Sequence, residues 1–262
     1  MINRNILFFL SLIFVLLGAG CSKTNQPANQ NVAMPVQMEE SATPITESYN
    51  ITTKEFKNEV KNSFVANVKY PEISHLINTT IQKKFNDKAK QIVMEMEGLW
   101  QDEEKNIVVQ AGDEPSSFYG EYEVIGKTND YVSIKFSYSE YETGAAHPNN
   151  FYDVLNFDLK KGETVALKDL FKNDSEYLQK LSVYCKKNLE DQSDNFNDMI
   201  EKGAAPDEEN YIIFNFNSDG FLVTFGDYQV APHAAGPVSI LVPYDELKGV
   251  INPDGLLGEY IK

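Results

Sequence analysis

Cysteine is almost missing from this chain: Cys21 and Cys185 are the only two in 262 residues. A disulfide framework is therefore excluded. Histidine is nearly as scarce, at three residues, and no HxH or CxxC spacing occurs. A metal centre needs three or four convergent ligands, so His147 and His233 are the only pair worth considering, and the expectation is that no metal is bound. GxSxG is absent, Ser239 falls inside a predicted strand, and no glycine-rich phosphate loop is present. Positive charge is the last deficit. Lys and Arg number 23 against 39 Asp and Glu, a formal net charge of −16. That sign disfavours nucleic acid and favours a basic partner, which an acidic surface steers toward itself. So many carboxylates form chance pairs by default, and they read as a solvated surface. No catalytic residue and no cofactor emerge from this reading, and the chain is expected not to be an enzyme.

The start of the chain has a different character. Arg4 sits in a short n-region, residues 6–17 are apolar, and Gly18, Ala19 and Gly20 precede Cys21. This is the layout of a secretory signal over residues 1–20, too short for a comfortable membrane span. Small residues before a cysteine predict a lipoprotein site, with Cys21 the acylated (palmitate-type) terminus in the membrane. Gly18 stands where such sites usually carry leucine, and a plain secretory signal is the alternative. Residues 21–49 are rich in Ser, Thr, Asn, Gln, Pro and Glu, a composition that cannot offset its ordering entropy and reads as a disordered tether. Cys185 lies at helical spacing with Leu178, Leu181 and Leu189, which predicts a buried thiol.

Beyond the tether, hydrophobic periodicity predicts a strand over residues 56–70 ended by Pro71. A helix over 75–97 follows, capped by Ser74 and ended by Gly98. Trp100 reads as packing, with a binding hot spot the other possibility. Strands over 118–125 and 131–141 flank a Thr128–Asp130 turn. Leu155, Phe157 and Leu159 share one face of the next strand, with Asn156 and Asp158 on the other. Later come a helix over 175–191 capped by Ser175, an acidic helix–loop over 195–210, and a hairpin turning at residues 217–220. A last strand covers 238–242. The fold class expected is α+β: mixed, mostly antiparallel sheets with packed helices. Two lobes are expected, residues 50–112 and 113–262.

Residues 141–171 are the most densely determined stretch. Gly144 lets the backbone turn closely and Pro148 fixes φ after His147. A second small-residue loop carries Pro232, His233, Gly236 and Pro237. Loops on a rigid scaffold carry recognition. The candidate partner-binding residues are therefore Tyr141, Gly144, His147, Pro148, Tyr152, Tyr228, Pro232, His233, Gly236 and Pro237.

The central stretch, together with residues 221–225, 228–237 and 242–247, resembles the extracytoplasmic domain of RsiV-like anti-sigma factors, which sense lysozyme. Upstream, Val68-Lys69-Tyr70-Pro71-Glu72-Ile73 and the helix after it are similar to the domain that precedes it there, which also sits beside the catalytic domain of PdaC-type peptidoglycan deacetylases. The resemblance covers roughly residues 50–250 and implies an extracytoplasmic α+β module without catalytic residues of its own. It implies an envelope location, facing outside the cytoplasm, with lysozyme, another basic cell-wall-active protein or peptidoglycan as partner. A cell-wall hydrolase working through carboxylates near His147 and His233, or a structural envelope lipoprotein, are the alternatives.

Overall fold

The computed structural model describes residues 49–61, 63–104, 114–190 and 196–262, with side chains omitted at 99–104. The signal, Cys21, the tether up to residue 48 and the Trp100 side chain lie outside the described residues. Tyr49, assigned to the tether, belongs to the folded part: it is buried, and its hydroxyl donates to the Thr128 carbonyl at 2.8 Å.

One sheet has six strands in sequence order: β1 (Asn50–Val60), β2 (Phe64–Ser74), β3 (Ser116–Lys127), β4 (Tyr131–Tyr141), β5 (Asn149–Asp158) and β6 (Glu163–Thr164). All neighbours are antiparallel except β2 and β3, which are parallel. A parallel pair needs a long crossover, and helix α1 (Thr79–Glu104) supplies it. The single strand expected over 56–70 is thus a hairpin, and β2 runs on through Pro71 beyond the last β2–β3 pair, Val68 with Gly120. Helix α1 starts at Thr79 because the Asn78 side chain caps it, accepting from the Thr80 and Ile81 amides at 3.1 and 3.2 Å. Ser74 remains in β2, and Gly98 lies within the helix.

The second half contains α2 (Tyr177–Glu190), α3 (Asn197–Gly203), a three-stranded antiparallel sheet of β7 (Phe214–Phe216), β8 (Phe221–Phe225) and β9 (Val238–Val242), and the short α4 (Tyr244–Leu247). Ser175 does not cap α2; its hydroxyl is buried without a partner. The mixed, mostly antiparallel α+β architecture is the one the sequence predicts. β3 adds to β2 as a parallel neighbour, so strands from both of the expected lobes, 50–112 and 113–262, share the six-stranded sheet.

Two apolar cores result. Phe64, Ala66, Val68, Phe118, Ile134, Phe136, Leu155 and Phe157 meet α1 through Phe85, Ala89 and Val93. Leu181, Cys185 and Leu189 of α2 meet Phe216, Phe221, Val223 and Phe225. Polar side chains join the halves. Ser133 on β4 donates to Asn156 Oδ1 on β5 at 2.6 Å, Asn156 donates to the Phe214 carbonyl at 2.8 Å, and Asn215 donates to Ser133 Oγ at 2.9 Å and to the Ile134 carbonyl at 3.0 Å. All three side chains are buried. Buried polar groups must be paired, and here nearly every one is, across the seam between the two sheets. Gly126 allows the close approach: a Cβ there would fall 2.1 Å from the Phe216 carbonyl oxygen.

Candidate functional site

Two loops far apart in sequence meet beside the end of β5. The first, residues 142–148, turns at Gly144 with φ +85°, where a glycine costs no strain. The second spans residues 226–237 between β8 and β9 and includes a 3-10 turn at His233–Ala235. Gln229 ties the second loop to α3. Its amide nitrogen donates to the carbonyls of Gly203 and Asn210 at 2.9 and 3.0 Å, and its oxygen accepts from the Gly226 amide at 3.1 Å. Val230 and Ala231 are buried below it.

Between the loops, three rings stack. The imidazoles of His147 and His233 lie 4.6 Å apart at 22°, and Tyr228 stacks on His233 at 5.3 Å and 18°. Tyr228 is 60% exposed and holds φ at +64°. For a bulky residue that left-handed backbone is strained, and such strain persists where surrounding structure imposes it and gathers at functional sites. His147 is fixed from its other side, its Nδ1 donating to the Pro148 carbonyl at 3.0 Å.

Asp227 is the residue that sequence reasoning missed. Its side chain is only 7% exposed, and its Oδ2 lies 3.0 Å from His233 Nδ1. That is an ion-pair distance, but the geometry is off the line of a hydrogen bond, and Asp227 Oδ1 is buried without a partner. Asn150 reaches Oδ2 at 3.4 Å. The carboxylate also acts on Tyr152, whose hydroxyl pKa is raised first by burial and then by the Asp227 charge. The structure thus brings together His147, His233, Tyr228 and Tyr152, with Pro148 and Gly144 shaping one loop and Pro232, Gly236 (φ +67°) and Pro237 the other. Tyr141 stays on the sheet opposite Ser117.

Chemically, the arrangement offers an aromatic platform over a nearly buried negative charge. The two imidazoles face each other through their rings, a geometry that does not aim two nitrogens at one ion. Among the described residues no group of three His, Cys, Asp or Glu converges as metal ligands would. Beside Tyr228 opens a cavity of about 420 Å³ lined by Asp198, Met199, Lys202, Gly203, Asn210 and Gln229. A separate cleft of about 410 Å³ near β6 and the C-terminus is acidic, but there Lys160 already pairs with Asp130.

Known proteins resemble both halves of the chain. The family model described as deacetylase PdaC matches residues 57–150, and that of a protein family of unknown function, DUF3298, matches 168–245. The peptidoglycan-N-acetylmuramic acid deacetylase PdaC of Bacillus subtilis is 30% identical over 133 residues, which span 50% of this chain and 28% of that protein. Crystal structures of DUF3298 family members share the fold. One from Bacteroides fragilis superposes with a TM-score of 0.58 at 19% identity, covering 82% of this chain and 98% of that one. One from Pseudomonas aeruginosa gives 0.57 at 16%, covering 78% and 94%. The PdaC match ends at residue 150, inside β5. The chain thus matches the PdaC model over residues 57–150 and the DUF3298 model over residues 168–245.

Proposed function

We propose that this protein is an extracytoplasmic binding module, tethered to the envelope through a lipid on Cys21, that docks a basic cell-wall-active protein such as lysozyme on the paired loops and has no turnover of its own. The observation that carries the reading is the ring stack of Tyr228, His233 and His147 above Asp227. An exposed tyrosine locked in place is a low-entropy anchor, and aromatic anchors dominate binding energy in interfaces. A cationic side chain from a partner gains both from the ring face and from the nearby carboxylate. The net charge of −16 steers such a partner in. The PdaC-type region supports a place at the cell wall, and the resemblance to lysozyme-sensing ectodomains supports the choice of partner.

The test is a titration of the purified protein against a c-type lysozyme at low and high salt, with lysozyme activity followed alongside. Saturable binding that weakens with salt is expected. Tyr228→Ala should weaken it about tenfold, the effect of losing about 1.4 kcal/mol at one anchor. Undiminished binding in a Pro148→Ala/Tyr228→Ala double variant would remove the loops from the interface. A hydrolytic role is the second reading, favoured by the Asp227–His233 pair, since a carboxylate beside an imidazole can orient it as a base. It requires turnover of wall fragments that His233→Ala abolishes, whereas the binding role predicts none in either protein.

A further inference from the structure

The six-stranded sheet has two faces, and α1 covers only one. On the other, register places Asn67 of β2 opposite Tyr119 of β3, Tyr119 opposite Ser139 of β4, and Ser139 opposite Asn150 of β5. This single row crosses four strands, about 14 Å at the usual strand spacing. No described element lies over it: Tyr119 is 49% exposed, Asn150 is exposed, and Asn67 and Ser139 are partly so. The neighbouring row adds Ser137 opposite Tyr152. At its far end the row arrives at the ring stack, through the Asn150 contact to Asp227.

We infer that this row is a second binding site, for a neutral oligosaccharide laid across the strands toward the ring stack. The chemistry of the row selects the ligand. These four members are uncharged hydroxyls or amides, and the charges alongside cancel: Lys57 of β1, opposite Asn67, pairs with Glu55 at 2.6 Å, Lys69 with Glu121 at 2.8 Å and Lys135 with Glu123 at 3.3 Å. Along the row itself, short of Asp227 at its end, a charged ligand therefore finds no unmatched partner, and a polyanion is repelled by the chain as a whole. An apolar partner would strand the serine and asparagine groups without hydrogen bonds, which is costly. An extended peptide takes its affinity from a free sheet edge, through main-chain hydrogen bonds, not from a face. A sugar chain satisfies both features present. Its hydroxyls bond to amides and hydroxyls, and the apolar C–H faces of its rings rest on tyrosine. The site is distinct from the protein-docking loops in ligand, in anchor residue and in its response to salt.

The experiment is a calorimetric titration of the purified protein with the tetramer of N-acetylglucosamine, and in parallel with maltotetraose, at low and high salt. The expected result is saturable binding of at least one of the two that salt leaves unchanged. Tyr119→Ala should weaken it about tenfold, equivalent to about 1.4 kcal/mol. Tyr119 is half exposed, so the variant should keep its fold, which a thermal melt verifies; Asn150→Ala is the second variant should the first not fold. Tyr228→Ala, which tests the loops, should leave sugar binding intact. Absence of binding by both sugars, or equal affinity in wild type, Tyr119→Ala and Asn150→Ala, overturns the proposal whatever lysozyme does.

Discussion

Two polar clusters sit on the same side of the six-stranded sheet and differ in almost every other respect. At the Ser133–Asn156–Asn215 seam the side chains are buried, and their donors and acceptors close on one another and on the backbone. At the Asp227–His233–His147–Tyr228 cluster one carboxylate oxygen and one imidazole nitrogen are left over, a tyrosine holds a strained backbone, and its ring faces water. The first cluster closes on itself except at Asn215 Oδ1, and it serves as structure. The second leaves its unpaired atoms beneath an exposed, strained aromatic ring. Exposure and backbone strain at Tyr228 separate the two roles better than residue type does, since both clusters are built from ordinary polar side chains.

The contrast can be broken at either end. Asn156→Leu removes the acceptor of the Ser133 hydroxyl and the donor to the Phe214 carbonyl, stranding both in the interior. It should cost about 3 kcal/mol, lowering Tm by about 9 °C in a chain of this size. A loss below about 1 kcal/mol would mean that the seam is not the structural joint. Tyr228→Gly should do the reverse: relief of the positive φ keeps stability or raises it by up to about 1 kcal/mol, while lysozyme binding falls about tenfold. Denaturant melts and the titration together show whether stability and binding separate. A smaller effect sharpens the closed side. Burial pushes the Cys185 thiol from 9.0 up to about 12. Above pH 9.0 the unfolded chain therefore sheds this proton while the folded one keeps it, so stability falls as pH rises toward 12. The slope of unfolding free energy against pH just above the unfolded value should be shallower in Cys185→Ala.

Much of the strand pattern is legible in the sequence, and the reason lies in local signals. Asn217-Ser218-Asp219-Gly220 turns the β7–β8 hairpin, with Asn217 Oδ1 accepting from the Asp219 and Gly220 amides. Alternation sorts Leu155 and Phe157 from Asn156 and Asp158 correctly. It cannot say whether the polar side meets water, and here the second sheet covers Asn156 and Ser133. The β1–β2 turn at residues 61–63 lacks glycine and proline, so two strands read as one. The helix start moved because Asn78 competes with Ser74 as cap, which only the exit of the chain from β2 decides. The loop pairing of His147 with His233 could be suspected from their small-residue surroundings. Asp227 could not, because nothing local distinguishes it among 39 acidic residues; only the approach of the second loop puts it beside His233.

The hydrogen bond from Asn215 to Ser133 spans 82 positions of sequence. During synthesis, the six-stranded sheet has all of its strands by Thr164, well before Phe214 leaves the ribosome. For that interval its uncovered face shows serine and tyrosine hydroxyls and asparagine amides where the second sheet will later rest. A half-made chain therefore waits with a wettable surface rather than a sticky one, and the same polar seam that joins the finished halves protects the first of them while it is alone.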